Sequence, residues 1–350
     1  MTVIDCTGDG LARGRAHGEA ARAAIGTAIE AWAKATLPDA SGDIVDYARG
    51  LVARTGLLAA MGRHMPDLLA EIGGIAEGAG QPFDLVAALN LMDEQWWYDL
   101  RRASPKDDGP GCSLLACPDG NGMVLAQTMD LPAFMDGSQL ILRLRPDQGP
   151  SSVVLSSAGM IGLVGVNAAG VAVCVNTLLM LRHNANGVPV AAVVRHLLAQ
   201  PTAAAARAAL LVLPHASGQH YAVADRSGVT GHECSAAGCA PVALAQGGAL
   251  LHTNHPVASA DLDTKAMELL EEFGSNDRSR ERLGKLTDWA AAVGPLPELF
   301  RTAPVCVRPQ GRHNGQTFGA VQFRLADRVT ASLCTGRPDL TPWQDVALPA

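Results

Sequence analysis

An α+β layered fold is predicted for this 350-residue chain, and three features of the sequence predict it. The first hundred residues carry apolar positions at helical spacing. A polar, Pro- and Gly-containing stretch follows at 101–111. Strand-like runs then dominate, interrupted by a second helical block. Strands, paired helices and strands again, without regular βαβ alternation, fit segregated layers better than a doubly wound parallel sheet.

Segment 11–36 places Leu11, Ala21, Ala24, Ile25, Ala28, Ile29 and Trp32 on one helical stripe, and Pro38 ends it. A second helix is expected over 45–62, a third from Pro66 through Ile72 and Ile75, and a fourth over 82–98 opened by Pro82. The run RRASPKDDGPG (101–111) has the profile of an exposed loop or processing site. Beyond it, strands are expected at 112–117, 122–128, 139–145, 152–157, 161–166 and 171–178, with turns at 121–122, 146–149 and 167–170. Residues 188–213 return to helix, split by Pro201. Strands resume at 219–234 and 248–253, a charged helical region covers 261–293, and two strands around Ala326–Asp327 close the chain at 317–335.

With 48% apolar and 17% charged residues, the chain can build a sizeable core, packed mainly by Ala, Leu and Val because aromatics are only 4%. A formal charge of −7 and the lack of any Lys/Arg block argue against a nucleic-acid partner. Residues 148–181 carry no charge, yet Ser151, Ser152, Ser156, Ser157, Asn167 and Asn176 interrupt them, with Gly159, Gly162, Gly165 and Gly170 between. That pattern fits buried strands and not a membrane span. The start MTVIDCTGDG lacks the regions of a secretory signal, so the cytoplasm is the expected location. Eight cysteines without a CxxC read as mostly buried thiols. No GxGxxG or GxxxxGK[ST] motif occurs, and no cofactor is implied.

The chemistry centres on Gly111-Cys112-Ser113, at the boundary between the polar stretch and the strand-rich part. Gly tolerates the strained backbone that an N→S acyl shift requires, and its carbonyl is unhindered to thiol attack. Cleavage there would free the α-amine of Cys112, with a reference pKa of about 7.7–8.0, to act as base for its own thiol.

The run GCSLLACPDGNGMVLAQTMD (111–130) resembles the processing segment of the penicillin acyltransferase family, a branch of the N-terminal-nucleophile hydrolases. The resemblance continues, in order, through LARGRAHGEAAR (11–22), DLLAEIGGIAEGAG (67–80), SSAGMIGLVGVNAAGVAVCVNTL (156–178), GVP (187–189), LHTNHP (251–256) and TGRP (335–338). It implies a four-layer αββα sandwich. It also implies self-cleavage between Gly111 and Cys112, and amide-directed acyl chemistry on a small-molecule amide or acyl-CoA substrate.

On that resemblance, residues 1–111 form a helical prosegment and 112–350 the nucleophile-bearing part. The two fragments stay associated as one catalytic domain; a homo-oligomer is left open. Cys112 matches the nucleophile and Asp130 an acid that places its amine. Asn254 matches a side-chain amide that donates to the developing oxyanion, a contribution of roughly 3 kcal/mol to the barrier. Asn176 resembles an Asn near the same site in the bile-salt hydrolase branch. That branch carries an Arg where this chain has Gln127. For the family's site cation the candidates are Arg312, in QGRHNGQTF, and Arg280, in SRERL. His17 and Gly18 match a structural helix motif.

Two other classes stay open at this level. His252 and His255, with His215, His220 and His232, could serve a metal-dependent amidohydrolase, although no carboxylate stands at ligand spacing. An uncleaved, non-catalytic binding homologue is the other. Cys117 is not expected to act as a resolving thiol, because CxxxxC on a strand turns the two side chains to opposite faces.

Overall fold

Alternation along the strand that begins at Cys112 decides how the molecule is layered. In the computed structural model, residues 1–37, 42–100, 111–272, 274–292, 295–309 and 315–349 are described. The N-terminal part holds β1 (Val3–Gly8), α1 (Gly10–Ala20), α2 (Arg22–Thr36), α3 (Ile44–Ala53), α4 (Leu57–His64), α5 (Pro66–Ala79), α6 (Phe83–Leu89) and α7 (Met92–Leu100). Then come β2 (Cys112–Asp119), β3 (Gly122–Pro132), β4 (Gln139–Pro146), β5 (Ser152–Ser157), β6 (Val164–Asn167) and β7 (Ala172–Thr177). The helices α8 (Val190–Leu198) and α9 (Ala203–Val212) precede β8 (Gln219–Asp225), β9 (Gly228–Ser235), β10 (Gly238–Val242) and β11 (Leu250–His252). The chain closes with α10 (Thr264–Glu272), α11 (Ser275–Ala292), α12 (Leu296–Arg301), β12 (Gly315–Leu325), β13 (Val329–Cys334) and β14 (Gln344–Val346).

Two sheets result, ordered β1-β4-β5-β6-β7-β8-β9-β10 and β11-β2-β3-β12-β13-β14. On β2, Cys112, Leu114 and Ala116 enter the core between the sheets, while Leu115 and Cys117 join a second core on the other face. Cys112 and Cys117 thus face opposite ways, as the strand period requires. On β3, Met123, Leu125 and Met129 follow the first set, and Val124 and Ala126 the second. The second core is closed by Leu286 of α11 and Leu299 and Phe300 of α12. On the far side, α8 and α9 lie over β6, β7 and β8. The order is therefore helix, sheet, sheet, helix: the αββα sandwich expected. The uncharged stretch supplies β5, β6 and β7, buried throughout. No helix among the described residues is long and apolar enough to cross a membrane.

Three expected helices are each broken in two. The first breaks at Ala21, whose φ/ψ of −106°/13° is off-helix, and the second gives way at Gly56. The fourth breaks at Asn90, whose Nδ2 donates to the carbonyls of Val86 and Gly159 while its Oδ1 accepts from Ile161 N–H. A side chain that satisfies three backbone groups of two segments holds the break open. Cys234 and Cys239, opposite each other in the β9–β10 ladder, form a disulfide, so two of the eight cysteines depart from the expected thiols.

The N-terminal part is not an appendage. β1 pairs in parallel with β4 at the sheet edge, and α1 crosses α5 at a glycine-lined contact. A Cβ on Gly14 would stand 2.0 Å from the Glu71 carbonyl oxygen, and one on Gly74 would stand 2.3 Å from that of Leu11. Such proximity lets three buried polar groups meet. Glu71 accepts from Arg13 Nε (2.9 Å) and from Arg195 Nη1 (2.6 Å), the latter on α8. Burial alone would raise the Glu71 carboxyl, but the two arginines outweigh it and hold it below the usual carboxylate range. Gly14→Ala should therefore cost about 3 kcal/mol in urea unfolding. Gly73→Ala, on the same helix as Gly74 but with no atom within 4 Å of the added Cβ, should be neutral or stabilising.

Candidate active site

The antiparallel ladder of β2 and β3 pairs Cys112 with Met129, and one further rung puts Gly111 opposite Asp130. The Asp130 N–H donates to the Gly111 carbonyl oxygen at 2.7 Å. On the other side of the same peptide, the Cys112 N–H donates to Asn254 Oδ1 at 2.6 Å. Both ends of the Gly111–Cys112 peptide are therefore gripped, one by a backbone group and one by a side chain from far along the chain.

Arg282, buried on α11, holds the adjoining Cys112–Ser113 peptide. Its Nη1 donates to the Cys112 carbonyl oxygen (2.6 Å) and Ser113 Oγ (3.2 Å), and its Nη2 to Asn254 Oδ1 (2.9 Å). Two donors converging on one Asn254 atom identify it as the oxygen, since neither could donate to an NH₂ group. Asn254 Nδ2 in turn donates to the Thr177 carbonyl at 3.0 Å. Asn176 Nδ2 adds a second donor to the Cys112 carbonyl at 3.2 Å. The loop bearing Asn254 is tied to α11 through Ser279, whose Oγ accepts from Asn254 N–H (2.8 Å) and bonds His255 Nδ1 (2.8 Å).

Asp130 Oδ1 accepts from Thr317 Oγ1 (2.5 Å) on β12, beside the bulge between Thr317 and Gly319. Gly111 is packed closely here: a Cβ would lie 3.1 Å from Arg282 Nη2 and 3.2 Å from Asp130 Oδ2. The need for glycine is steric crowding by these charged ends.

Burial pushes Cys112 up to about 12, the Asp130 carboxylate adds to the rise, and the Asp130 N–H and Arg282 only partly offset it. Burial likewise lowers Arg282, opposed by Asp130 and Cys112. A cleft of about 270 Å³ opens on the Gly111 side, lined by Asp130, Asn254, Arg278, Arg282 and Arg308. A smaller cavity of about 40 Å³ lies on the Cys112 side, walled by Met129, Leu131, Met160, Leu163 and Val175, with Asp93 at its edge.

Of the residues expected at the site, Cys112, Asp130, Asn254 and Asn176 converge on one peptide. Arg280 does not: it is exposed and nearest Asp277 (3.9 Å). Helix phase explains this placement. The buried positions of α11 are Asn276, Ser279, Arg282 and Leu286, and Arg280 lies off that stripe. Arg312 lies outside the described residues. Asn254 offers its oxygen to Cys112 N–H, and its Nδ2, the group expected to face an oxyanion, donates to the Thr177 carbonyl. Gln127 is a clasp between sheets, exchanging two hydrogen bonds with the Val175 backbone. His17 is buried and accepts from Gly159 N–H at 3.3 Å. His252 and His255 do not act together: the first bonds Glu233, the second Ser279.

Two groups of the site, Arg282 and the Asp130 N–H, are not among those expected from the sequence. The spacing 276, 279, 282, 286, ending on an apolar Leu, is the available sign of the first. A backbone donor leaves no sign in a sequence.

Residues 117–294 match the acyl-coenzyme A:6-aminopenicillanic acid acyl-transferase family, and the chain belongs to it. Among curated relatives, the acyl-coenzyme A:6-aminopenicillanic-acid-acyltransferase 40 kDa form of Emericella nidulans is 24% identical over 361 aligned positions, covering 97% of this chain and 94% of that protein. Among solved structures, the penicillin V acylase of Agrobacterium tumefaciens is 17% identical with a TM-score of 0.39, covering 67% of this chain and 86% of that one.

Arg282→Leu should leave the Asp130 carboxylate and the Cys112 carbonyl without their buried cation and cost roughly 3 kcal/mol. Arg280→Leu should change stability by less than about 0.5 kcal/mol. Urea unfolding of the two variants side by side checks the contrast.

Proposed function

We propose that this chain is a self-cleaving N-terminal-cysteine enzyme that transfers or hydrolyses acyl groups of amide substrates through a thioester at Cys112. The single observation that carries this is the double grip on the Gly111–Cys112 peptide, with its oxygen on Asp130 N–H and its N–H on Asn254 Oδ1.

In the first stage the Cys112 thiol adds to the Gly111 carbonyl. Negative charge develops on the oxygen already facing Asp130 N–H, where a fixed donor is worth most. The C–N bond breaks, the Cys112 nitrogen takes the proton, and a thioester joins Gly111 to the sulfur. Water then releases Gly111 as a carboxylate. The parts 1–111 and 112–350 stay together: β1 remains paired with β4, and Glu71 remains bonded to Arg195 across the cut.

In the second stage the freed α-amine, held by Asn254 Oδ1, accepts the thiol proton, and the thiolate adds to the substrate amide carbonyl. The amide C–N bond breaks, the proton passes from the α-ammonium to the departing amine, and water or an acceptor amine then cleaves the thioester and returns a proton to the sulfur. The incoming carbonyl takes the place left by Gly111 and meets the same Asp130 N–H. Asn176 and Arg282 fix the Cys112 carbonyl, so amine and sulfur keep their geometry. The apolar cavity beside Cys112 suits a short acyl group, and the arginine-lined cleft suits an anionic amine or leaving group. Hydrolysis of an N-acyl amide is the favoured reaction, with acyl transfer from acyl-CoA to an amine such as a β-lactam nucleus as the second.

Cleavage should rearm the thiol. With the peptide intact, iodoacetamide labelling of Cys112 should stay slow and rise tenfold per pH unit toward about 12. After cleavage it should level off near the α-amine range, about 7.7–8.0. Comparing the wild type with Gly111→Val, whose side chain would crowd Arg282 and Asp130, measures both states. Equal pH profiles, or penicillin V hydrolysis by Cys112→Ala, would refute the mechanism.

A further inference from the structure

A row of polar residues lies buried between the two sheets behind Cys112, and the proposed chemistry uses only one of them. The ladders set Asn176 of β7 opposite His220 of β8, and His220 opposite Glu233 of β9. From the facing sheet, His252 of β11 stacks on His220 with ring centroids 3.8 Å apart and planes within 6°. All four residues are at most 1% exposed.

Hydrogen-bond bookkeeping fixes their states, starting from the Cys112 carbonyl, which can only accept. Asn176 must turn Nδ2 toward it, as the 3.2 Å contact shows, so Asn176 Oδ1 faces His220 Nδ1 at 2.9 Å. An oxygen there requires a hydrogen on Nδ1. The opposite edge of the ring, Nε2, packs against Gly231 and Leu250, where a Cβ on Gly231 would come within 2.7 Å of Nε2. No described group offers Nε2 a hydrogen-bond partner. A bare Nε2 is cheaper in that apolar wall than a second buried N–H or a charge. Burial, followed by the neighbouring His252 and His232, also holds the His220 pKa well down.

His252 has the reverse surroundings. Its Nδ1 faces the Thr253 carbonyl (2.7 Å) and its Nε2 faces Glu233 Oε1 (2.8 Å), so both nitrogens meet oxygen atoms. Glu233 completes the assembly by accepting from Val257 N–H (2.7 Å), Ala258 N–H (3.0 Å) and Ser259 N–H (2.6 Å), in the loop that follows Asn254.

We propose that His220, kept neutral with its hydrogen on Nδ1 beneath the His252–Glu233 pair, is a positioning residue that turns the Asn176 amide onto the Cys112 carbonyl. Its role rests on Cys112 being the nucleophile; its hydrogen placement does not.

The test starts with wild-type full chain labelled with ¹⁵N-histidine. Long-range ¹H–¹⁵N correlation should show His220 protonated at Nδ1 only. A hydrogen on Nε2 of His220 overturns the proposal, and no variant needs to fold for that result. Peaks are assigned by their loss in His220→Asn. In the second arm, Asn places an N–H where Nδ1 was, whereas Gln places one near Nε2 and Leu places none. Iodoacetamide labelling of Cys112 should stay within about twofold of wild type in His220→Asn and fall roughly tenfold in His220→Gln and His220→Leu, the rate equivalent of one lost hydrogen bond. Urea midpoints that do not follow this ranking separate positioning from mere stability. Equal rates in the Asn and Gln variants overturn the proposal. A wild type whose label is not on Cys112 refutes the nucleophile assignment instead, and the tautomer result still decides the state of His220.

Discussion

One peptide unit, between Gly111 and Cys112, is held by groups that no local stretch of chain could assemble. Its oxygen belongs to the last rung of the β2–β3 ladder, and its N–H belongs to a side chain beyond β11. The Cys112 carbonyl then draws in Arg282 from α11 and Asn176 from the opposite sheet. Moving β2 relative to any of these elements breaks at least one of the bonds. The two-sheet stacking therefore serves the site directly, and the site in turn bonds both sheets and α11 to each other.

The same logic explains why the N-terminal part is woven into the body. Glu71 lies on α5 and would be a buried charge with only half of its compensation if either arginine were absent, a costly arrangement in a low-dielectric interior. Arg13 comes from the N-terminal side and Arg195 from beyond the proposed cut, so the carboxylate ties the two together. Glycine on α1 and α5 makes that meeting feasible, because the helices could not approach so closely with larger residues at the crossing.

How much of this is legible in the sequence depends on the kind of information each feature carries. Strand positions in the second half are readable from period-two alternation and Gly/Asn turns, and the helices from their apolar stripes. The breaks at Ala21, Gly56 and Asn90 are not, because tertiary hydrogen bonds and packing decide them. β1 is hard to see because its exposed positions Val3, Asp5 and Thr7 dilute a short edge strand. Cys112, Asp130 and Asn254 stand out through the company of their motifs. Arg282 is hidden beside Arg280, two positions away, because a run of charges looks uniform until the phase of the helix is fixed. His220 is one of several histidines in the sequence, since its pairing with Asn176 is a matter of strand register.

The central claim is that this peptide is cut and that Cys112 becomes a chain terminus. Intact mass of the purified wild-type protein tests it most directly. The expected result is two fragments, the second beginning at Cys112, whose masses sum to that of the full chain plus one water. A single full-length chain that still hydrolyses or transfers an acyl group would contradict it.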